Sequence, residues 1–358
     1  MSQASSILPM PSRVFHRLPA AQVLTLAALL VVISLVAASA RGAFDVGMVS
    51  VARTLAALAT GTLDGSPEQL VFLHIRLPRL VLGLAAGAGL GLSGALMQGM
   101  FRNPLADPGL IGISSGAALA AGVTIVMGAL WFPYLPRSLG SWTLVVMAFA
   151  GGLTVTALIY ALSQSEGGTR VGMMLLAGIA INALAGAGLG FLSFMATDEQ
   201  LRNIQFWLLG SLGGARWSAV GLVGTIVLIA VGAGLTLARP LNVIALGEAQ
   251  AHLLGVNVER VKRLAVLVTA LAVGSVTACT GIIGFIGLVA PHCVRLIAGP
   301  DHRVVLPASA MLGAALVLLA DSVARTVAQP AELPLGVLTA FVGVPFFLLL
   351  LRTFKNRI

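Results

Sequence analysis

The feature that most constrains this chain is a succession of apolar runs, each near the thickness of a bilayer, with charge confined mostly to the breaks between them. A helix crossing the hydrocarbon layer takes about 20 residues. Its backbone polar groups must be satisfied without water, which leaves helices or closed barrels. Turn and charge signals divide the sequence into ten runs, at about 21–40, 77–101, 109–130, 142–163, 171–195, 216–238, 261–281, 283–299, 304–326 and 335–352. The apolar stretch from Leu264 to Val294 is too long for one crossing, and Thr280, Gly281 and Gly284 supply a break within it. Composition agrees, since 58% of the 358 residues are hydrophobic and 9% are charged. A soluble domain carries about 25% charged residues, so too few are present here to coat a wet surface. With 42 Gly and 6% aromatic residues, the helices should pack backbone to backbone through small side chains. The expected fold is all-α and polytopic, a single ten-helix transmembrane domain over residues 1–358.

The net charge of +9 does not point to nucleic acid, because the basic residues stand singly between apolar runs rather than on one face. An even number of crossings puts both termini on one side. With the termini inside, the larger share of the 21 Lys+Arg falls on inner segments, Arg13, Arg17, Arg102, Arg260, Lys262 and Arg357 among them. That bias predicts cytoplasmic termini. The outer segments hold arginines and no lysine: Arg41, Arg53, Arg76, Arg79, Arg137, Arg202, Arg216 and Arg325. Arg13, His16 and Arg17 precede a first apolar run that ends in Ala38-Ser39-Ala40, which mimics a signal peptide. The run is longer than the 7–15 residues of such a signal, so an uncleaved first crossing is expected.

Two motif matches lack the context that gives them meaning. Gly89, Gly91 and Gly94 fit G-x-G-x-x-G, but inside an apolar run with no preceding strand, which favours helix packing over a dinucleotide site. Gly112, Ser114 and Gly116 fit the nucleophile elbow without a surrounding α/β sheet; Ser114 and Ser115 are expected to cap the first turn of a crossing. No P-loop is present, and the lysines are Lys262 and Lys355 alone. ATP-driven work would therefore need phosphate chemistry from another chain. The crossings hold almost no ionisable groups, which disfavours an ion-coupled secondary transporter. Asp321 and Arg325, four apart near an outer end, would neutralise each other or face an outer partner. Cys279 and Cys293 form no metal-spaced pair and are expected to be buried apolar residues.

Two polar segments stand out. From Arg239 to Arg263 an inner segment contains Gly247-Glu-Ala-Gln-Ala-His-Leu-Leu-Gly255. It reads as one short helix, with Glu248 favouring the dipole in the first turn and Gly255 as its stop. So short a helix is marginal alone; it is either a plain interhelical loop or an apolar face, Leu253 and Leu254, made for a partner's groove. An outer segment, 198–217, carries Phe206 and Trp207 before Gly210, Gly213 and Gly214. It is either an interfacial aromatic anchor or a hinged gate.

Arg76-Leu-Pro-Arg79, Gly94-Ala-Leu-Met-Gln98 and Arg102-Asn-Pro-Leu-Ala-Asp-Pro-Gly109 together resemble the signature of the FecCD-type permeases, the membrane subunits of ABC importers for iron-siderophores, haem and cobalamin. The likeness continues through Gly247–Gly255, Gly281–His292, Asp301–Arg303 and Ala331–Gly336. It implies the type II ABC importer permease fold, a multi-pass protein of the bacterial inner membrane. The implied partners are a second copy of the chain, two cytoplasmic ATPase subunits and a periplasmic substrate-binding protein. No cofactor is expected on this chain; ATP and Mg belong to the ATPase, so the chain itself is not an enzyme. Residues of the inner segment (Gly247, Glu248, Ala249, His252, Leu253, Leu254 and Gly255, within about 243–258) would form the coupling contact with the ATPase. Arg76, Arg79 and Arg325 would meet carboxylates of the binding protein, which suits the bidentate grip of a guanidinium. Phe206, Trp207, Gly210 and Gly213 would belong to the periplasmic gate. Asp107–Ala117 and Phe206–Gly214 look most like haem importers, with siderophore or cobalamin as the alternative cargo.

Overall fold

Each of the ten apolar runs contains a helix in the computed structural model, which describes residues 17–40, 47–131, 140–329 and 331–355. In chain order the helices are α1 (Ala20–Ala40), α2 (Met48–Thr60), α3 (Pro67–Val71), α4 (Leu77–Phe101), α5 (Ile113–Trp131), α6 (Gly140–Leu162), α7 (Val171–Met195), α8 (Asp198–Leu209), α9 (Trp217–Thr236), α10 (Ala238–Ile244), α11 (Glu248–Leu253), α12 (Val258–Thr280), α13 (Ile286–Ala298), α14 (His302–Val327) and α15 (Leu335–Lys355). Seven stretches are long and apolar enough to cross a membrane: Ala20–Ser39, Pro67–Phe101, Trp142–Leu162, Val171–Met195, Trp217–Thr236, Val258–Thr280 and His302–Val327. The other three expected crossings fall on the shorter apolar helices Ile113–Gly128, Ile286–Ala298 and Leu335–Leu349. The chain is a multi-pass membrane protein. Arg13, His16, Arg41, Arg137 and Arg357 lie outside the described residues.

α4 is the central helix, buried along nearly its whole length and packed chiefly on α14, with α9, α12 and α13 around it. Glycine makes this possible. A Cβ on Gly91 would sit 2.1 Å from the Ser309 carbonyl oxygen of α14, and one on Gly94 would sit 1.7 Å from the Gly287 carbonyl oxygen of α13. Those contacts are backbone to backbone, so no rotamer change relieves them. The G-x-G-x-x-G match is thus a packing surface, as small-residue membrane helices require.

The serine expectation needs correcting. Ser115 does not cap a free amide. Its hydroxyl donates back to the Gly112 carbonyl at 3.1 Å and pairs with Asn182 Oδ1 on α7 at 2.5 Å. In a dry layer a hydroxyl gains more from a neighbouring helix's polar group than from an end already turned by Gly112, whose φ is 79°.

Several boundaries also shift for physical reasons. The first long helix of the signature region begins at Pro67 rather than near 77, with a π turn over Phe72–Arg76 joining α3 to α4. Helix α12 starts at Val258, three residues before the expected crossing, because the Asn257 side chain accepts from the Arg260 amide at 2.9 Å and caps it. Its charged residues therefore sit on a helix, not in a loop. α13 is only 13 residues long. Residues 281–285 enter it as irregular backbone, with Phe285 at φ 66°. Such backbone is tolerated at membrane depth where protein covers it, and Gly281 and Ile283 are buried. A two-stranded hairpin, β1 (Gln164–Ser165) with β2 (Gly168–Thr169), joins α6 to α7.

Candidate functional site: an exposed short helix and a buried charge cluster

The inner segment folds as the sequence suggests. Gly247 opens α11 at φ 121° and Gly255 ends it at φ 78°, both in the region where glycine is the favoured residue. Ala251 is fully buried and anchors the turn, while Ala249 and His252 lie exposed. Leu253 is 88% exposed and Leu254 64%. A six-residue helix that buries one alanine and presents two leucines has apolar surface to spare. Glu248, in the first turn, pairs with Lys262 of α12 at 2.7 Å, and Lys262 itself is 3% exposed.

Next to this face, three of the resemblance segments converge. Gln98 of α4 donates to the Leu288 carbonyl at 3.3 Å and accepts from the Arg295 guanidinium. His302 is held through Nδ1 and its amide by Asn242 Oδ1, each at 2.8 Å. Asn242 in turn donates to Asp301 at 2.6 Å. Asp301 caps α14 and takes a hydrogen bond from the Arg303 side chain, which holds its carboxyl at about 2. These signature residues tie the ends of α4, α10, α13 and α14 together, a structural use the motif alone does not reveal.

At the opposite ends of α4 and α14 the arginines are not the open rim charges the sequence suggests. Arg76, Arg79 and Arg325 are 4%, 9% and 6% exposed. Arg79 lies between Asp321 at 2.9 Å and Glu332 at 2.8 Å. Arg325 reaches the same Asp321 at 3.0 Å and the Ala38 carbonyl at 3.2 Å. Arg76 donates to the Ser39 carbonyl at 2.7 Å. The physical reason is desolvation: a guanidinium withdrawn from water must be paired, and the chain supplies the carboxylates itself. Glu332 is the open member of the cluster, its side chain 44% exposed.

The gate candidates are brought together around Gly210. It has φ 67°, and its carbonyl accepts from the Leu335 amide of α15 at 2.9 Å. The next residue, Ser211, donates its amide to the Thr280 carbonyl at 2.7 Å. Trp207 packs, with Leu144, Val145 and Phe149, against the buried Ala117 and Ala121 of α5, Ala148 of α6 and Ala278 of α12, whereas Phe206 is 63% exposed. Gly213 has no positive φ, so only Gly210 is demanded by its conformation. A capping box at Thr197 and Gln200 fixes the start of α8. Cys279 and Cys293 are unpaired and half-buried. Among the described residues, no three His, Cys, Asp or Glu side chains converge to hold a metal.

With this geometry in view, the comparisons decide the family. The sequence profile of the FecCD transport family matches residues 25–353. The chain belongs to the FecCD transport family. It is an ABC transporter permease. Its relatives include the hemin transport system permease protein HmuU of Yersinia pestis, 48% identical over 289 residues, or 80% of this chain and 85% of that protein. The cobalamin import system permease protein BtuC of Halobacterium salinarum is 42% identical, covering 82% of this chain and 77% of its own. Among solved structures, an inward-facing ABC transporter assigned to the metal-chelate type superposes with a TM-score of 0.79 at 30% identity, covering 93% of this chain and 99% of that one. The ion-coupled secondary transporter finds no support in these comparisons.

Proposed function

We propose that this FecCD permease imports haem across the bacterial inner membrane as one half of a homodimer driven by two cytoplasmic ATPase subunits. The observation that carries the choice of haem is the 48% identity to a hemin permease, above the 42% to a cobalamin permease. In this reading the ten apolar segments all cross, both termini lie in the cytoplasm, and ATP with Mg is held by the partner. The coupling contact is Gly247–Gly255, supported by the exposure of Leu253 and Leu254. A periplasmic binding protein delivers the cargo at the outer ends of α4 and α14. There an incoming carboxylate would compete with the exposed Glu332 for Arg79, and the buried Asp321 would remain in place. Loss of the Glu332 contact would free the short link into α15, whose Leu335 amide holds Gly210. The gate at Trp207–Gly213 is thereby connected to docking.

The test is uptake into proteoliposomes containing the permease and its ATPase, supplied in turn with binding protein carrying hemin, cyanocobalamin or a ferric siderophore. ATP-dependent accumulation of hemin above the other two is expected. Preferential uptake of cyanocobalamin or the siderophore would reassign the cargo and leave the machine unchanged.

A further inference from the structure

Lys262 stands at a junction that the coupling contact alone does not require. Its ammonium donates to Glu248 Oε2 on α11 at 2.7 Å and to the Thr169 carbonyl of the hairpin at 2.8 Å. One turn earlier on α12, Glu259 accepts from the Thr169 amide at 2.9 Å and from its hydroxyl at 2.5 Å. The same carboxylate accepts from the Tyr160 hydroxyl of α6 at 2.6 Å. Thr169 is thus held at its N–H, its C=O and its side chain by two residues of α12. One of those residues also holds the coupling helix. Lys262 is 3% exposed and Thr169 4%. A buried ammonium cannot drop a partner cheaply, so α11 and the hairpin are joined through a group that resists being pulled from either.

We propose that Lys262 is a positioning residue for energy coupling, passing displacement of α11 to the β1–β2 hairpin and so to α6 and α7. The inference rests on the reading of Gly247–Gly255 as the ATPase contact. Helix α11 follows α10 across the turn at Ala245–Gly247 and packs against α10 and α12, which accounts for motion of those helices. The hairpin, 79 positions or more away along the chain, has its route to α11 through Lys262. Side-chain networks of this kind transmit only if both sites bias one element, and here that element is the hairpin with Thr169 clamped in it.

The test is amide hydrogen exchange on the reconstituted permease–ATPase complex with and without ATP, in wild type, Lys262→Met and Glu248→Gln, alongside hemin uptake per ATP hydrolysed. In wild type the α11 amides are protected by the ATPase, and the amides of 164–169 change their exchange on ATP addition. With ATPase added until α11 is protected as in wild type, both variants should lose at least four-fifths of the ATP-dependent change in the hairpin and lower uptake per ATP about tenfold. The double variant should be no worse than either single one. A hairpin response equal to wild type in either variant overturns the relay. If Lys262→Met does not fold, Glu248→Gln, which changes a half-exposed carboxylate, decides the matter alone. Absence of α11 protection in wild type would instead refute the coupling contact, a separate and recognisable failure.

Discussion

The two ends of the molecule treat their functional residues in opposite ways. At the outer end, Arg76, Arg79 and Arg325 are buried and satisfied by Asp321, Glu332 and main-chain carbonyls. At the end of α11, Leu253 and Leu254 are exposed, with no described residue of this chain covering them. One region is closed on itself. The other leaves apolar surface open to water. Charge and apolar surface dictate the difference, because a charge taken from water must be paired at once, whereas two leucines in water cost only a few kcal/mol in total.

Asp321 is the residue on which the buried charge cluster depends most. Asp321→Ala leaves Arg325 without its carboxylate and Arg79 with only Glu332, and should cost about 3–5 kcal/mol, as removal of one partner from a buried pair does. Thermal unfolding in detergent checks it; a loss below about 1 kcal/mol would mean the cluster is wet. Glu332→Gln removes the exposed carboxylate and should cost less than about 1 kcal/mol, as for other part-exposed pairs, while loosening the outer gate. Faster labelling of a cysteine introduced at Ser211 would report that loosening, and unchanged labelling would separate Glu332 from the gate.

Acid sharpens the inner side. Asp301 has its carboxyl held at about 2, against an ordinary 3.8, first by the Arg303 side chain. Its stabilising contribution is therefore complete above about 3.8 and is lost as pH falls through about 2. Asp301→Asn should flatten that stretch of the stability profile; an unchanged profile would show that other carboxylates set it. The smallest stability effect belongs to the exposed leucines at the end of α11. Leu253→Asp with Leu254→Asp should shift unfolding by less than about 0.5 kcal/mol per site, as surface changes do.

What the sequence made legible follows from range. The apolar runs, and Gly247 and Gly255 as the bounds of α11, are local signals, and the structure places helices accordingly. The pairing of Arg79 with Asp321 spans 242 positions, and nothing near Arg79 announces it, so an outward arginine reads as exposed. The hairpin escaped notice because its strands are two residues each, shorter than any period can register. Lys262 reads from the sequence as one more inner-segment charge, since its burial depends on Thr169 and Glu248 arriving from two other segments. The early start of α12 had a local cue, Asn257 ahead of Glu259, which the charged flank masked.

The most direct measurement is binding of the purified ATPase subunit to the detergent-solubilised permease, comparing wild type with the Leu253→Asp, Leu254→Asp double variant and with Glu332→Gln at the outer end. The double variant is expected to lose at least tenfold in affinity while remaining folded, and Glu332→Gln to bind as wild type does. Wild-type affinity in the double variant would contradict the proposed coupling contact.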